Sequence, residues 1–200
     1  MSFFPFNTNR QRLAQTDVPG TRTKLLSPVM YTPGSPAVAD DDYYFTGVMK
    51  LGAYTLLHTG PDVGARNVTI KRTTVDTGDT VGTVVIAGTD LAGNAISETP
   101  TPTNSGTEYA TTRAFKTVAS VTSVGWSAAD GADTFIIGMG NLIGLPDLLT
   151  DTAQVLGASL GGAKEGTAPT VTVSATVLSQ NTVNLSSAYN GSAVKIYYLI

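Results

Sequence analysis

An all-β protein is what this sequence predicts: an antiparallel β-sandwich or jelly-roll-like body preceded by an extended N-terminal arm. Three observations lead there. Thr, Val, Gly, Ala and Ser fill the chain while only 14% of residues are charged, the balance of strands built on β-branched residues and joined by tight turns. Apolar and polar residues alternate with a period of two in several short segments. Clusters of Gly, Asn, Asp and Pro punctuate those segments. At 200 residues the chain can bury a real core, as one sandwich with an appendage or as two small domains.

Residues 1–39 form the predicted arm and residues 40–200 the body. Pro5, Pro19, Pro28, Pro33 and Pro36 argue against a regular helix or a central strand in the arm. Phe3, Phe4 and Phe6 at its tip are groups that a free tail would leave in water. They point to a groove on a partner or neighbouring subunit, with folding back onto the same domain as the alternative. Arg10, Arg12, Arg22 and Lys24 against Asp17 alone make the arm +3, so a chain of net −3 has a body of −6. An acidic body with a basic arm points to docking of the arm on a protein surface, through Phe3, Phe4, Phe6, Arg10, Arg12, Arg22 and Lys24. The density of basic residues is too low for a nucleic-acid binder. The N-terminus places aromatics before its charges, the reverse of a signal peptide, and no stretch approaches the ~18 apolar residues of a membrane span. A soluble chain made in the cytoplasm, without a membrane partner, is the expectation.

The body opens at Asp40-Asp41-Asp42, a solvated charge run and boundary. Tyr43 to Met49 and Ala53 to His58 are predicted strands joined at Lys50-Leu51-Gly52, and Gly60-Pro61-Asp62 is a turn. In Arg66 to Glu98, Val68 and Ile70 alternate with Thr69 and Lys71, which predicts a half-buried strand. The turns at Asp76-Thr77-Gly78-Asp79 and Asp90-Leu91-Ala92-Gly93-Asn94, around the β-branched run Val81 to Ala87, then predict an antiparallel meander. Residues 100–106 (PTPTNSG) are a loop. Glu108 to Ser123 carries two signals: Phe115, Val118, Val121 and Val124 fall at a spacing of three, while the Thr and Val content favours strands. Composition decides for strand with a bend or bulge. Ala128-Ala129-Asp130-Gly131 turns the chain into a buried strand at Thr134 to Met139. Residues 147–165 predict a short helix and a Gly-rich linker, and residues 170–200 a C-terminal hairpin series of three strands.

Chemistry is sparse. The chain has no Cys, hence no disulfide, thiolate nucleophile or Cys-based metal site. Gly157-Ala158-Ser159-Leu160-Gly161 matches the G-x-S-x-G nucleophile elbow. The lone histidine, His58, precedes that serine in the wrong order for a hydrolase and cannot form a zinc cluster. Asp76-x-x-Asp79 and Asp130-x-x-Asp133 offer carboxylates to Ca²⁺ but match no EF-hand loop. Asn67-Val68-Thr69, Asn184-Leu185-Ser186 and Asn190-Gly191-Ser192 fit the glycosylation triplet. Trp126 with Tyr197-Tyr198 suits a carbohydrate platform, or a buried sandwich core, which is favoured. The expectation is a protein that is no enzyme and needs no cofactor or metal.

Four segments carry a resemblance: the meander with its hairpin GTDLAGNAISE (residues 88–98), followed by GTEYATTRAFKTVASVTSVGW (residues 106–126), the strand DTFIIGMGNLIGLP (residues 133–146) and the closing NGSAVKIYYLI (residues 190–200). Over residues 64–146 and 188–200 the chain resembles tailed-bacteriophage virion structural proteins. That resemblance implies a capsid decoration (cement) protein: a β-sandwich or jelly-roll homotrimer on the outer surface of the head, bridging subunits of the major capsid protein. A tail-associated or fibre-type adhesin, or a tail-tube subunit, is the alternative within the virion.

Overall fold

Turn-bounded β-branched segments become strands throughout, giving 53% strand and 4% helix. The structure, a computed structural model, describes residues 26–73, 79–80, 82–103, 105–127 and 133–200, with the backbone of two short strands before them. The body is an antiparallel sandwich, as the composition predicts.

In chain order, β1 (Leu13–Gln15) and β2 (Arg22–Lys24) pair with each other. Next come β3 (Pro28–Gly34), β4 (Asp40–Val48) and the short β5 (Gly52–Ala53). They are followed by β6 (Arg66–Thr73), β7 (Thr83–Thr89), β8 (Ala95–Glu98), β9 (Glu108–Phe115), β10 (Thr117–Val124) and the long β11 (Thr134–Gly144). A 3-10 turn at Thr152–Gln154 leads into β12 (Val155–Leu160) and β13 (Ala163–Lys164). Last are β14 (Thr170–Thr172), a 3-10 turn at Leu178–Gln180, β15 (Thr182–Asn184) and β16 (Val194–Leu199). The first sheet runs β14-β15-β11-β6-β9, with β4 also on β11; the second runs β5-β10-β7-β8 and the third β13-β12-β16-β3.

Two apolar cores share β11. Phe135, Ile137 and Met139 face the first, where Val68, Ile70 and Phe115 of the first sheet meet Val84, Ile86, Val118 and Val121 of the second. Ile143 faces the other, with Val183, Ala158, Val194, Ile196 and Tyr198 of the first and third sheets. Between the cores the ladder of β11 with β6 skips: Met139 pairs with Val68 and the next pair is Ile143 with Arg66. Buried backbone groups that lose their ladder partners need others, and side chains supply them. Arg66 Nε donates to the Gly140 carbonyl at 2.8 Å, Tyr189 Oη to the Asn141 carbonyl at 2.9 Å, and Leu142 N–H to Asn67 Oδ1 at 2.8 Å. Arg66, fully buried, also donates to the Ala37 carbonyl and to Asp62 Oδ1, both at 3.0 Å, and lies 5.3 Å from the Tyr189 ring centroid.

Several expectations are corrected. The predicted meander is a hairpin only at β7–β8; β6 lies in the first sheet and β7 in the second, so the chain crosses between sheets after Thr73. The reason is burial: Arg66 through Ile70 are covered on both faces, which places β6 inside a sheet, whereas β7 alternates. The strand with a bend or bulge expected over Glu108 to Ser123 is present, and its spacing of three comes from a break at Lys116 between β9 and β10, then a bulge between Val118 and Ser120. Ala53 to His58 is strand only at its first residue. Residues 147–165 hold no α-helix and no linker: Asp151 and Gln154 form a capping box on a single 3-10 turn, and Gly157 to Leu160 belong to β12, between β13 and β16. The C-terminal strands are not one hairpin series, because β16 leaves β14–β15 for the third sheet. Part of the expected arm is body: β3 pairs with β16 at the sheet edge, where Pro28 and Pro33 are tolerated. The turn residues 76–78 and 128–131 lie outside the described residues.

Gly88 sits against the β10 bulge, and a Cβ there would run into the Thr117 carbonyl; Gly93 has φ +84° with open space around it. Gly88→Ala should therefore cost about 3 kcal/mol through forced backbone shifts and Gly93→Ala about 1 kcal/mol through left-handed strain alone. Urea melts of the two variants check the order; equal costs would contradict the close approach.

Candidate partner-binding surfaces

The residues singled out for chemistry are dispersed. Ser159 is a buried strand residue of β12 paired with Lys195 and Lys164, not an exposed elbow. His58 is exposed and stacks on Tyr43, ring centroids 4.2 Å apart. Asp76 and Asp130 lie outside the described residues, and among those described no three His, Cys, Asp or Glu side chains gather to hold a metal ion. Asn67 is buried and bonded to the β11 bulge, so it offers no glycan acceptor. Asn190 is exposed and accepts from Ser192 N–H. Trp126 is buried with the Arg72 guanidinium 5.4 Å from its ring centroid, and Tyr198 is buried with its hydroxyl donating to Asp147. Of the aromatic platform only Tyr197 reaches the surface. Phe3, Phe4, Phe6, Arg10 and Arg12 lie outside the described residues, as do the side chains of Arg22 and Lys24.

Two of the resemblance segments converge. In the first, Asp90 folds the hairpin turn: its Oδ1 accepts from Ala92 N–H and Asn94 N–H, both at 2.9 Å, and its Oδ2 from Asn94 Nδ2. Gly93 supplies the positive φ and Gly88 the close approach. Glu98 ends the segment by clamping the neighbouring sheet, accepting from Thr112 N–H at 2.8 Å and Arg113 N–H at 3.0 Å. The far side of the turn faces Pro146, the end of the second segment, and the following Asp147 and Leu148 across a cleft of about 540 Å³. Asp90 is committed to the turn and Asp147 to Tyr198. The apolar lining of the cleft is Ile96, Pro146, Leu148 and Val177, suited to an apolar side chain of a partner, with the unpartnered Ser179 hydroxyl beside it.

A second cleft, of about 410 Å³, lies between Asp41, Glu108, Asn67 and Asn184. The charge run expected to mark a domain boundary instead starts β4, exposed. Asp42 is held above the ordinary carboxyl range by its hydrogen bond to and repulsion from Asp40. Burial, then the Asp41 charge, raises Glu108, with Lys71 opposing.

No family model matches the chain, and no curated protein matches it. Among solved structures, one described as "Structure of infectious bursal disease virus Gt strain" aligns at 14% identity and a TM-score of 0.21, over 95% of this chain and 47% of that one. The chain thus spans about half the length of that one, and a likeness at such a TM-score carries no argument about fold or role.

A carboxyl whose pKa is raised by folding binds its proton more readily in the folded chain, so its stabilising contribution is present in acid and is lost as pH rises through the raised range. Asp42→Asn should accordingly raise the thermal midpoint at pH 7 and leave it nearly unchanged at about pH 3.5, below the ordinary carboxyl pKa. Melts across that range provide the check; a lower midpoint at pH 7 would show that the Asp42 charge stabilises.

Proposed function

We propose that the protein is a structural component of a tailed-bacteriophage virion, and within it a capsid decoration (cement) protein. In this reading it sits on the outer surface of the head as a homotrimer and bridges major capsid protein subunits. One observation carries the reading: the segments of the resemblance are spent on rigidity. Asp90, Gly93 and Glu98 lock a hairpin and clamp two sheets. The Gly140-Asn141-Leu142 stretch is held by three side chains, and the closing strand β16 lies inside the third sheet.

Such a protein needs no reaction centre. Whatever binds the assembled shell and not its disrupted form shifts the equilibrium toward the shell, and repeated copies on a lattice amplify modest contacts. A basic, proline-punctuated arm loses little conformational freedom when it seats, because proline already restricts the free chain. The adhesin alternative draws less support, since Trp126 is buried and Tyr197 is what remains of its platform.

The truncation that tests this reading must stop before the third sheet. Removing residues 1–25 should leave the body folded and abolish co-sedimentation with purified heads, whereas removing residues 1–39 should also unfold the third sheet by deleting β3. Undiminished occupancy by the shorter truncation, or no binding by the full chain, would overturn the arm-mediated reading.

A further inference from the structure

The third sheet packs one face on the second core and exposes apolar side chains on the other. Val29, Tyr31 and Val155 turn inward. Met30 (55% exposed), Tyr197 (39%) and Leu156 (57%) line up across the three adjacent strands β3, β16 and β12, and Leu26 (45%) with Pro28 continues the row along the edge. The register makes it one surface: Tyr197 stands opposite Met30 on one side and Gly157 on the other, with Leu156 the extra residue of the β12 bulge. An aromatic, a methionine and a leucine on neighbouring strands, with a second leucine at the edge, form a patch that water does not cover without cost.

The chain itself brings an occupant to its rim. Leu13 pairs with Lys24, so the ladder of β1 and β2 returns the chain to a point two residues before Leu26. Leu13 is therefore tethered to Leu26 through one strand pair and two residues of chain. Twelve extended residues reach up to about 40 Å, while the patch is three strands wide, about 10 Å between its outer strands. Phe3, Phe4 and Phe6 are thus tethered within reach of a matching apolar surface, and a short tether gives an effective concentration in the millimolar range that a free second copy rarely meets.

We propose that in the isolated protein residues 1–12 fold back over the outer face of the third sheet, seating Phe3, Phe4 and Phe6 on Met30, Leu156 and Tyr197 of the same chain. The face is an internal docking site, and the aromatic tip is sheathed until something displaces it. The proposal stands whether or not the partner is a viral shell.

The absence of cysteine makes the test direct. Asn7→Cys flanks the aromatics without removing them, and Thr32→Cys lies beside Met30 without removing the patch. Mild oxidation of the double variant, with no shell present, should give an intrachain disulfide in a yield independent of protein concentration. Asn7→Cys with Val124→Cys on the second sheet should give at least fivefold less. Interchain products that grow with concentration would assign the face to a second copy and overturn the proposal, as would equal yields from the two pairs. A readout without cysteine uses an apolar dye: deleting residues 1–12 should raise its fluorescence severalfold, and adding Met30→Glu and Tyr197→Glu to the deletion should remove the rise. Unchanged dye binding on deletion would also overturn it.

Discussion

A strand serving two cores must solve a geometrical problem, and in this protein the solution is a set of side-chain hydrogen bonds to its own backbone. β11 faces one core with Phe135, Ile137 and Met139 and the other with Ile143, and its ladder with β6 skips in between. Interior backbone groups left unpaired there would each cost about 1–3 kcal/mol. Arg66, Asn67 and Tyr189 occupy those groups. Arg66 ties in Ala37 and Asp62 at the same time, so the connection before β4, the turn before β6 and the centre of β11 meet on one guanidinium. Five donors in a fixed fork make arginine suited to such a node, and lysine a poor substitute. Tyr189 is pushed up to about 12, chiefly by burial, so it stays a neutral donor across ordinary pH.

The recognisable segments of the chain work the same way. An aspartate, a glycine and a glutamate within residues 88–98 are residue types from which active sites are also made. Here the aspartate closes a turn, the glycine provides a left-handed residue, and the glutamate fastens β8 to β9 across a sheet boundary. Carboxylates satisfied by backbone N–H groups hold shape well and react poorly, since their lone pairs are already engaged. Their partners, and not their identities, separate scaffold from chemistry.

That distinction explains what could be read from the residues alone. The all-β class and the Asp90–Asn94 reversal were legible because period-two alternation and turn chemistry are local. The exposed length of β6 was misjudged because Thr69 looks polar while Arg66 and Asn67 look like surface residues, and only their buried partners on β11 explain them. Asp62 four residues before Arg66 was a faint signal of that node. The segment around Ser159 reads as flexible because glycine is permissive, yet pairing on both sides makes it an inner strand. Non-local pairing overrides local propensity wherever a strand is covered on both flanks. The patch of Met30, Leu156 and Tyr197 was invisible for the same reason, since Met30 stands more than a hundred positions from the other two in the chain.

The pairing of β3 with β16 also orders the events of folding. These strands stand at 28–34 and 194–199, so no ribosome-bound fragment can close the second core before residue 199 has emerged. The first core needs nothing beyond β11 and can condense earlier, while Val29 and Tyr31 wait in solvent for a partner made last. Loops of that size close slowly, and the interval is when an orphaned edge strand is most open to capture by another nascent chain. Prolines at 28 and 33, which cannot donate to a foreign ladder, guard the strand during that wait.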